Sequence, residues 1–178
     1  MRRILLICLV LTLGCAAWIP AKGVYKAQSL NFSIEQPEGW MRQGTTEYVL
    51  LTKDGVLLQN IVIRRLDIDE PLKNTKKKVQ KSMLPFEIAE VIVDDISSDQ
   101  TVLNLEVVEN VPVNVKGIPG FRLAYKHNND DGLKIKSIIY GFLSDKWLYL
   151  INYNAAQRHY FDRDIDTFEG VFNSFKLL

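Results

Sequence analysis

Phe161, Ile165, Phe168, Phe172 and Phe175 step by four, three, four and three residues. That spacing lines side chains along one face of a helix. So apolar a stripe must be buried, and the chain before it is β-patterned. Val102–Val115, Phe121–His127, Leu133–Leu143 and Lys146–Tyr153 predict four strands, with turns at 128–132 and at Ser144-Asp145. Phe121, Leu123 and Tyr125, then Trp147, Tyr149, Ile151 and Tyr153, recur at every second position, as on one face of a pleated strand. An antiparallel meander followed by an aromatic-striped helix predicts an α+β fold: a central, mainly antiparallel sheet with helices packed on it.

The first half adds to this sheet. Asn31–Ile34 alternates and then breaks at Pro37-Glu38-Gly39. Glu47–Leu51 and Val56–Leu66 flank Lys53-Asp54-Gly55, the signature of a hairpin. The second strand is apolar at both alternating sets, with Leu57, Ile61 and Ile63 on one and Leu58, Val62 and Leu66 on the other. It should therefore be covered on both sides. Thr75–Met83 is expected to be helical, with Val79 and Met83 inward and Lys77 and Lys81 roughly opposite. Pro85 restarts the helix, and Ile88, Ala89, Ile92 and Ile96 continue it. With no internal repeat or Ser/Gly-rich linker, residues 31–178 form a single domain.

The amino terminus says where the chain goes. Arg2 and Arg3 precede ten apolar residues, Ile4–Leu13, and then small residues, the build of an export signal. Ten helical residues reach about 15 Å, against a hydrocarbon core of about 30 Å. Leu11-Thr12-Leu13-Gly14-Cys15 resembles the lipobox of bacterial lipoproteins, with Thr12 where that family usually has Leu. The resemblance implies a signal peptide at 1–14 and acylation of Cys15, with a membrane anchored through those acyl chains. Ordinary cleavage after Cys15-Ala16-Ala17 is the alternative. Residues 15–30, with Pro20 and Gly23 and no apolar periodicity, are expected to be a tether. Cys8 lies within the signal, so the mature body would contain no internal disulfide. Exported and acylated, the protein would face the periplasm. Ala16 after the cysteine is compatible with outer-membrane sorting.

Phe32-Ser33-Ile34-Glu35-Gln36-Pro37-Glu38-Gly39-Trp40 resembles the strand–Pro–Gly–Trp opening of PsbP-like domains, including the bacterial DcrB-type lipoproteins. The turn Gly117-Ile118-Pro119-Gly120-Phe121 and the ending Phe168-Glu169-Gly170-Val171-Phe172-Asn173-Ser174-Phe175 are similar to theirs. The resemblance implies an α/β/α sandwich and an accessory, protein-binding role without a shared active site.

The residues agree in offering little catalytic chemistry. A formal charge of +1, with 47% hydrophobic and 24% charged residues, excludes a disordered chain and a strongly basic nucleic-acid binder. Asp162-Arg163-Asp164-Ile165-Asp166 alternates acids as a calcium loop does, but Thr167 and Asn173 stand where that loop needs Gly and an acid. The segment is expected to be a helix face. His127 and His159 have no short-range ligand partner, and no G-x-S-x-G occurs. No cofactor is expected, and the chain is read as no enzyme. Lys73, Lys76, Lys77, Lys78 and Lys81 form the strongest charge cluster, either a solvated face or a patch for anionic lipid or an acidic partner. Gln59 and Asn60 interrupt the best strand on opposite faces, marking a bulge, a strand end or a small pocket. Trp40 and Trp147 are expected in the core or at a sheet edge. Two functions follow: a lipid-anchored envelope protein that binds an unidentified envelope protein through a sheet edge or helix face, or a binder of a small or lipidic ligand between sheet and helices.

Overall fold

A computed structural model describes residues 17–178. Cys15 and the signal segment lie outside the described residues. The strands are β1 (Ile19–Pro20), β2 (Val24–Ala27), β3 (Phe32–Glu35), β4 (Met41–Gly44), β5 (Tyr48–Thr52), β6 (Gln59–Asp67), β7 (Leu103–Val115), β8 (Ile118–Asn128), β9 (Lys134–Ser144), β10 (Trp147–Ala156) and β11 (Lys176–Leu177). Two helices, α1 (Pro85–Ser97) and α2 (Tyr160–Ser174), accompany them. Eight strands form one sheet in the order β1-β4-β5-β6-β10-β9-β8-β7, and β11-β3-β2 form a second. All of the pairings are antiparallel.

The large sheet is covered on both faces. On one, Ile61, Ile63, Tyr140, Phe142, Tyr149, Ile151 and Tyr153 pack against α2 and the small sheet. On the other, Phe121, Leu123, Ile139, Leu148 and Leu150 pack against Ile88, Ala89 and Ile92 of α1. This is the expected sandwich, and the aromatic stripe makes one side of it. Phe161, Phe168 and Phe175 are buried, and Phe172 stacks on Tyr140 with ring centroids 3.7 Å apart. Each such buried side chain contributes about 1.5–3 kcal/mol relative to exposure.

Local chemistry fixes the turns. The β7–β8 hairpin turns at Lys116-Gly117, both at positive φ (54° and 90°), as a two-residue hairpin requires. The expected turn at Gly117–Phe121 is thus shorter, and Ile118–Gly120 already belong to β8. Gly141 faces the Phe121 ring so closely that a Cβ there would lie 2.2 Å from Phe121 Cζ. α1 begins at Pro85, where a missing N–H costs nothing, and the Leu84 N–H donates to Glu87 Oε2 at 2.7 Å.

Two expectations are corrected. Thr75–Met83 is irregular rather than helical. The Asp95 carboxylate on α1 accepts the Asn74 N–H (2.8 Å), the Thr75 N–H (2.9 Å) and the Thr75 hydroxyl (3.2 Å). Lys76 takes φ 60°, outside helical geometry. With Val79 as the buried anchor of this stretch, these bonds outweigh weak helical amphipathicity. Residues 19–30 are not a tether either. β1 pairs with β4, β2 pairs with β3, and Ala21, Ala27 and Leu30 are buried in the core. Small apolar side chains filling gaps leave no periodic signal in sequence.

Candidate functional site

Of the expected sites, the acidic run is the most fully absorbed by the fold. It forms the first turns of α2, and Asp164 points inward, 4% exposed. Its carboxylate accepts the Gln59 amide and Arg163 Nε (2.7 Å), and Lys53 Nζ lies 3.8 Å away. Arg163 also pairs with Asp54, and these hydrogen bonds, to Asp164 foremost, raise the guanidinium further above its ordinary range. The cluster pins α2 to the β5–β6 turn. The one signal for Asp164 in sequence was its place between Phe161 and Phe168 on the buried stripe.

The five lysines lie on the irregular loop rather than along a helix. Lys77 pairs with Asp94 (2.6 Å), Lys76 Nζ donates to the Lys73 carbonyl (2.7 Å), and Lys78 Nζ donates to the Asp69 carbonyl. Lys73 lies within the field of Asp99, and Lys81 borders a groove beside Met83 and Phe121. All five are exposed, but three are engaged with their own loop or α1.

Gln59 and Asn60 do point to opposite faces. Asn60 joins a row of polar side chains across the sheet, on the α1 side. Ser137 Oγ donates to Asn154 Oδ1 (2.8 Å), Asn154 Nδ2 to Asn60 Oδ1 (2.9 Å), and Asn60 Nδ2 to the Val56 carbonyl (2.7 Å). Tyr125 and His127 stack at the end of this row, with centroids 5.6 Å apart. Asn60, Asn154, Tyr125 and His127, together with Val56, Leu57 and Val102, line a cavity of about 300 Å³. Burial holds the His127 imidazole below its ordinary range, so it is neutral at neutral pH. His127 Nδ1 and Asn152 Oδ1 are buried without a hydrogen-bond partner. His159 stands apart, at the start of α2 and edge-on to Tyr160. Among the described residues, no three His, Cys, Asp or Glu side chains gather as metal ligands would. Trp40 is buried in the core, whereas Trp147 is half-buried under the Arg65 guanidinium, 3.9 Å from its ring.

The β7 edge and the adjoining start of α1 form an exposed shoulder rich in apolar side chains. Twelve large apolar side chains are exposed among the described residues. Six of them lie on β7 or at the start of α1: Leu103, Val107, Val108 and Val111 on the strand, and Leu84 and Phe86 at the helix start, with Val107 on the α1 face of the sheet and Leu103 and Val111 on the other. Asn110 Nδ2 donates to the Phe86 carbonyl (3.3 Å), which ties α1 to the strand. Among the described residues, the outer side of this thirteen-residue strand has no neighbour in the sheet. Register shifts at 103–106 and 107–109, Asn104 at φ 54° and Pro112 make it a poor template for another strand. It therefore offers side chains rather than a backbone ladder. Alternation alone could not identify it, since exposed and buried valines look the same in sequence.

No curated protein matches the chain in sequence. Among solved structures, cyanobacterial PsbP from Synechocystis superposes with a TM-score of 0.62 at 15% identity, over 94% of this chain and 96% of that one. The Ran-binding protein Mog1p of Saccharomyces cerevisiae superposes at 0.60 and 10% identity, over 89% and 96%. These likenesses establish a shared fold. The profile of the PsbP-like proteins matches residues 21–177, from the segment after β1 through the last strand, and on that match the chain belongs to the PsbP-like protein family.

Proposed function

We propose that this chain is a lipid-anchored, non-catalytic accessory protein of the bacterial envelope, held by acyl chains on Cys15, that docks an envelope protein on its β7 shoulder. The observation that carries the reading is that, among the described residues, half the exposed large apolar side chains belong to one edge strand and the adjoining helix start. The buried Asp164 carboxylate is spent on holding α2. The fold supports the same reading, since Mog1p is a Ran-binding protein. Attachment through Cys15 is the route proposed, on the lipobox-like run Leu11-Thr12-Leu13-Gly14-Cys15.

Photo-crosslinking from Val108 and Val111 of the full-length protein in cells tests the docking. A discrete crosslinked protein from both positions, missing from exposed Thr46, is expected. Equal capture from Thr46, or none from β7, would overturn it. Fatty-acid labelling and fractionation of wild type beside Cys15→Ser test the anchor, and the variant should lose both label and membrane association.

A second reading has its own observation. His127, whose Nδ1 is buried without a hydrogen-bond partner, lines a cavity whose lining carries no formal charge, which suits a small neutral ligand that hydrogen-bonds to the imidazole. Native mass spectrometry should then find a co-purifying mass that Asn154→Leu removes.

A further inference from the structure

The large sheet ends at β1 on one side and at β7 on the other. We infer that the corner formed by β1 and the start of β2, with exposed Trp18, Ile19 and Val24, lies against the lipid surface, so that β7 is the membrane-distal edge. This rests on the acylation of Cys15 proposed above. Only Ala16 and Ala17 separate Cys15 from Trp18. Three residue steps span at most about 11 Å, only slightly more than the interfacial layer of a bilayer, whereas a fifteen-residue tether would reach about 50 Å and leave the domain free to turn.

The surface that this short link presents is suited to that interface. Trp18 is 42% exposed, Ile19 47% and Val24 67%. Tryptophan, with an apolar ring and one N–H, settles at headgroup depth. β1 is the edge strand of the large sheet and β2 of the small one, and the chain turns between them at Gly23 (φ +60°). Both edges are therefore joined at one corner. Exposed Lys22 and Lys26 follow on the same segment and would meet anionic headgroups. Glu35, paired across from Val24, is an exposed acid on the adjoining strand. Eight strands at about 4.8 Å spacing place β7 roughly 34 Å from β1. The docking shoulder would thus face the envelope space.

The mature protein offers a clean test, since its Cys15 thiol would be alkylated and Cys8 removed with the signal. Val24→Cys and Val108→Cys, both at exposed sites, would each be labelled with an environment-sensitive fluorophore. The acylated proteins would be reconstituted in phosphatidylethanolamine–phosphatidylglycerol vesicles containing headgroup-level spin-labelled lipid. The Val24 label is expected to lose most of its emission, and the Val108 label to match a vesicle without quencher. Equal quenching at both positions, or stronger quenching at Val108, would overturn the orientation while leaving the anchor intact. Absence of fatty acid on the purified protein would overturn the anchor itself.

Discussion

The two free edges of the large sheet are built differently. β1 is two residues long and is held by pairing Ile19 with Arg42 and Pro20 with Met41, and by the Ala21 N–H donating to the Trp40 carbonyl (2.8 Å). β7 is thirteen residues long, twice shifted in register, and backed by the long β8 and β9. An exposed edge invites unwanted strand pairing, and the chain avoids it by opposite means. One edge is too short to template anything. The other is long but irregular, so it can display apolar side chains without recruiting a strand. Two bulges and a proline separate this exposed apolar edge from an aggregation site.

If β1 is held chiefly through its buried neighbour, Trp40→Ala should have the largest effect, about 3–5 kcal/mol, seen as a fall in melting temperature of roughly 6–20 °C. A loss below about 1 kcal/mol would mean that the β1 corner is only loosely seated. On the β7 side, Gly141→Ala should cost about 1–3 kcal/mol, because its methyl would overlap the Phe121 ring. Adding Phe121→Ala to that variant should cost less than the two changes summed in chemical denaturation, and strict additivity would show that the ring does not fill the glycine's place.

Acid should distinguish the two sides more gently. His127, near the end of β8, protonates less readily folded than unfolded, where its ordinary value is about 6.5. The unfolded chain then binds more protons, so stability is level above pH 6.5 and falls as pH drops below it. His127→Phe should flatten that limb, and an unchanged slope in urea titrations at successive pH values would assign it elsewhere. The smallest effect on stability is expected from Val108→Glu, within about 0.5 kcal/mol. The same change should abolish crosslinking at the shoulder, and retained crosslinking would show that docking does not use this edge.

Local periodicity located most of the elements. The four strands of the meander fall within three residues of their expected bounds, and α2 stands on its stripe. The same logic failed at Thr75–Met83, where a distant carboxylate, Asp95, offered the backbone better partners than a helix would. It failed again at 17–30, whose pairing partners β4 and β3 lie further along the chain. The site was less legible. Asn60 and His127 each stood out, but their meeting depends on β10 inserting between β6 and β9. Asp164 looked like a solvated acid until Gln59, 105 residues away, was seen to donate to it.

By itself the sequence determined a run of antiparallel strands and an aromatic-faced helix, because each is written in the spacing of neighbouring residues. Tertiary structure alone decided which strands became edges, which valines stayed exposed and that the chain from Ile19 onward belongs to the folded body. Those outcomes depend on pairing between segments far apart in the chain, and no local pattern of polar and apolar residues encodes the order in which strands assemble.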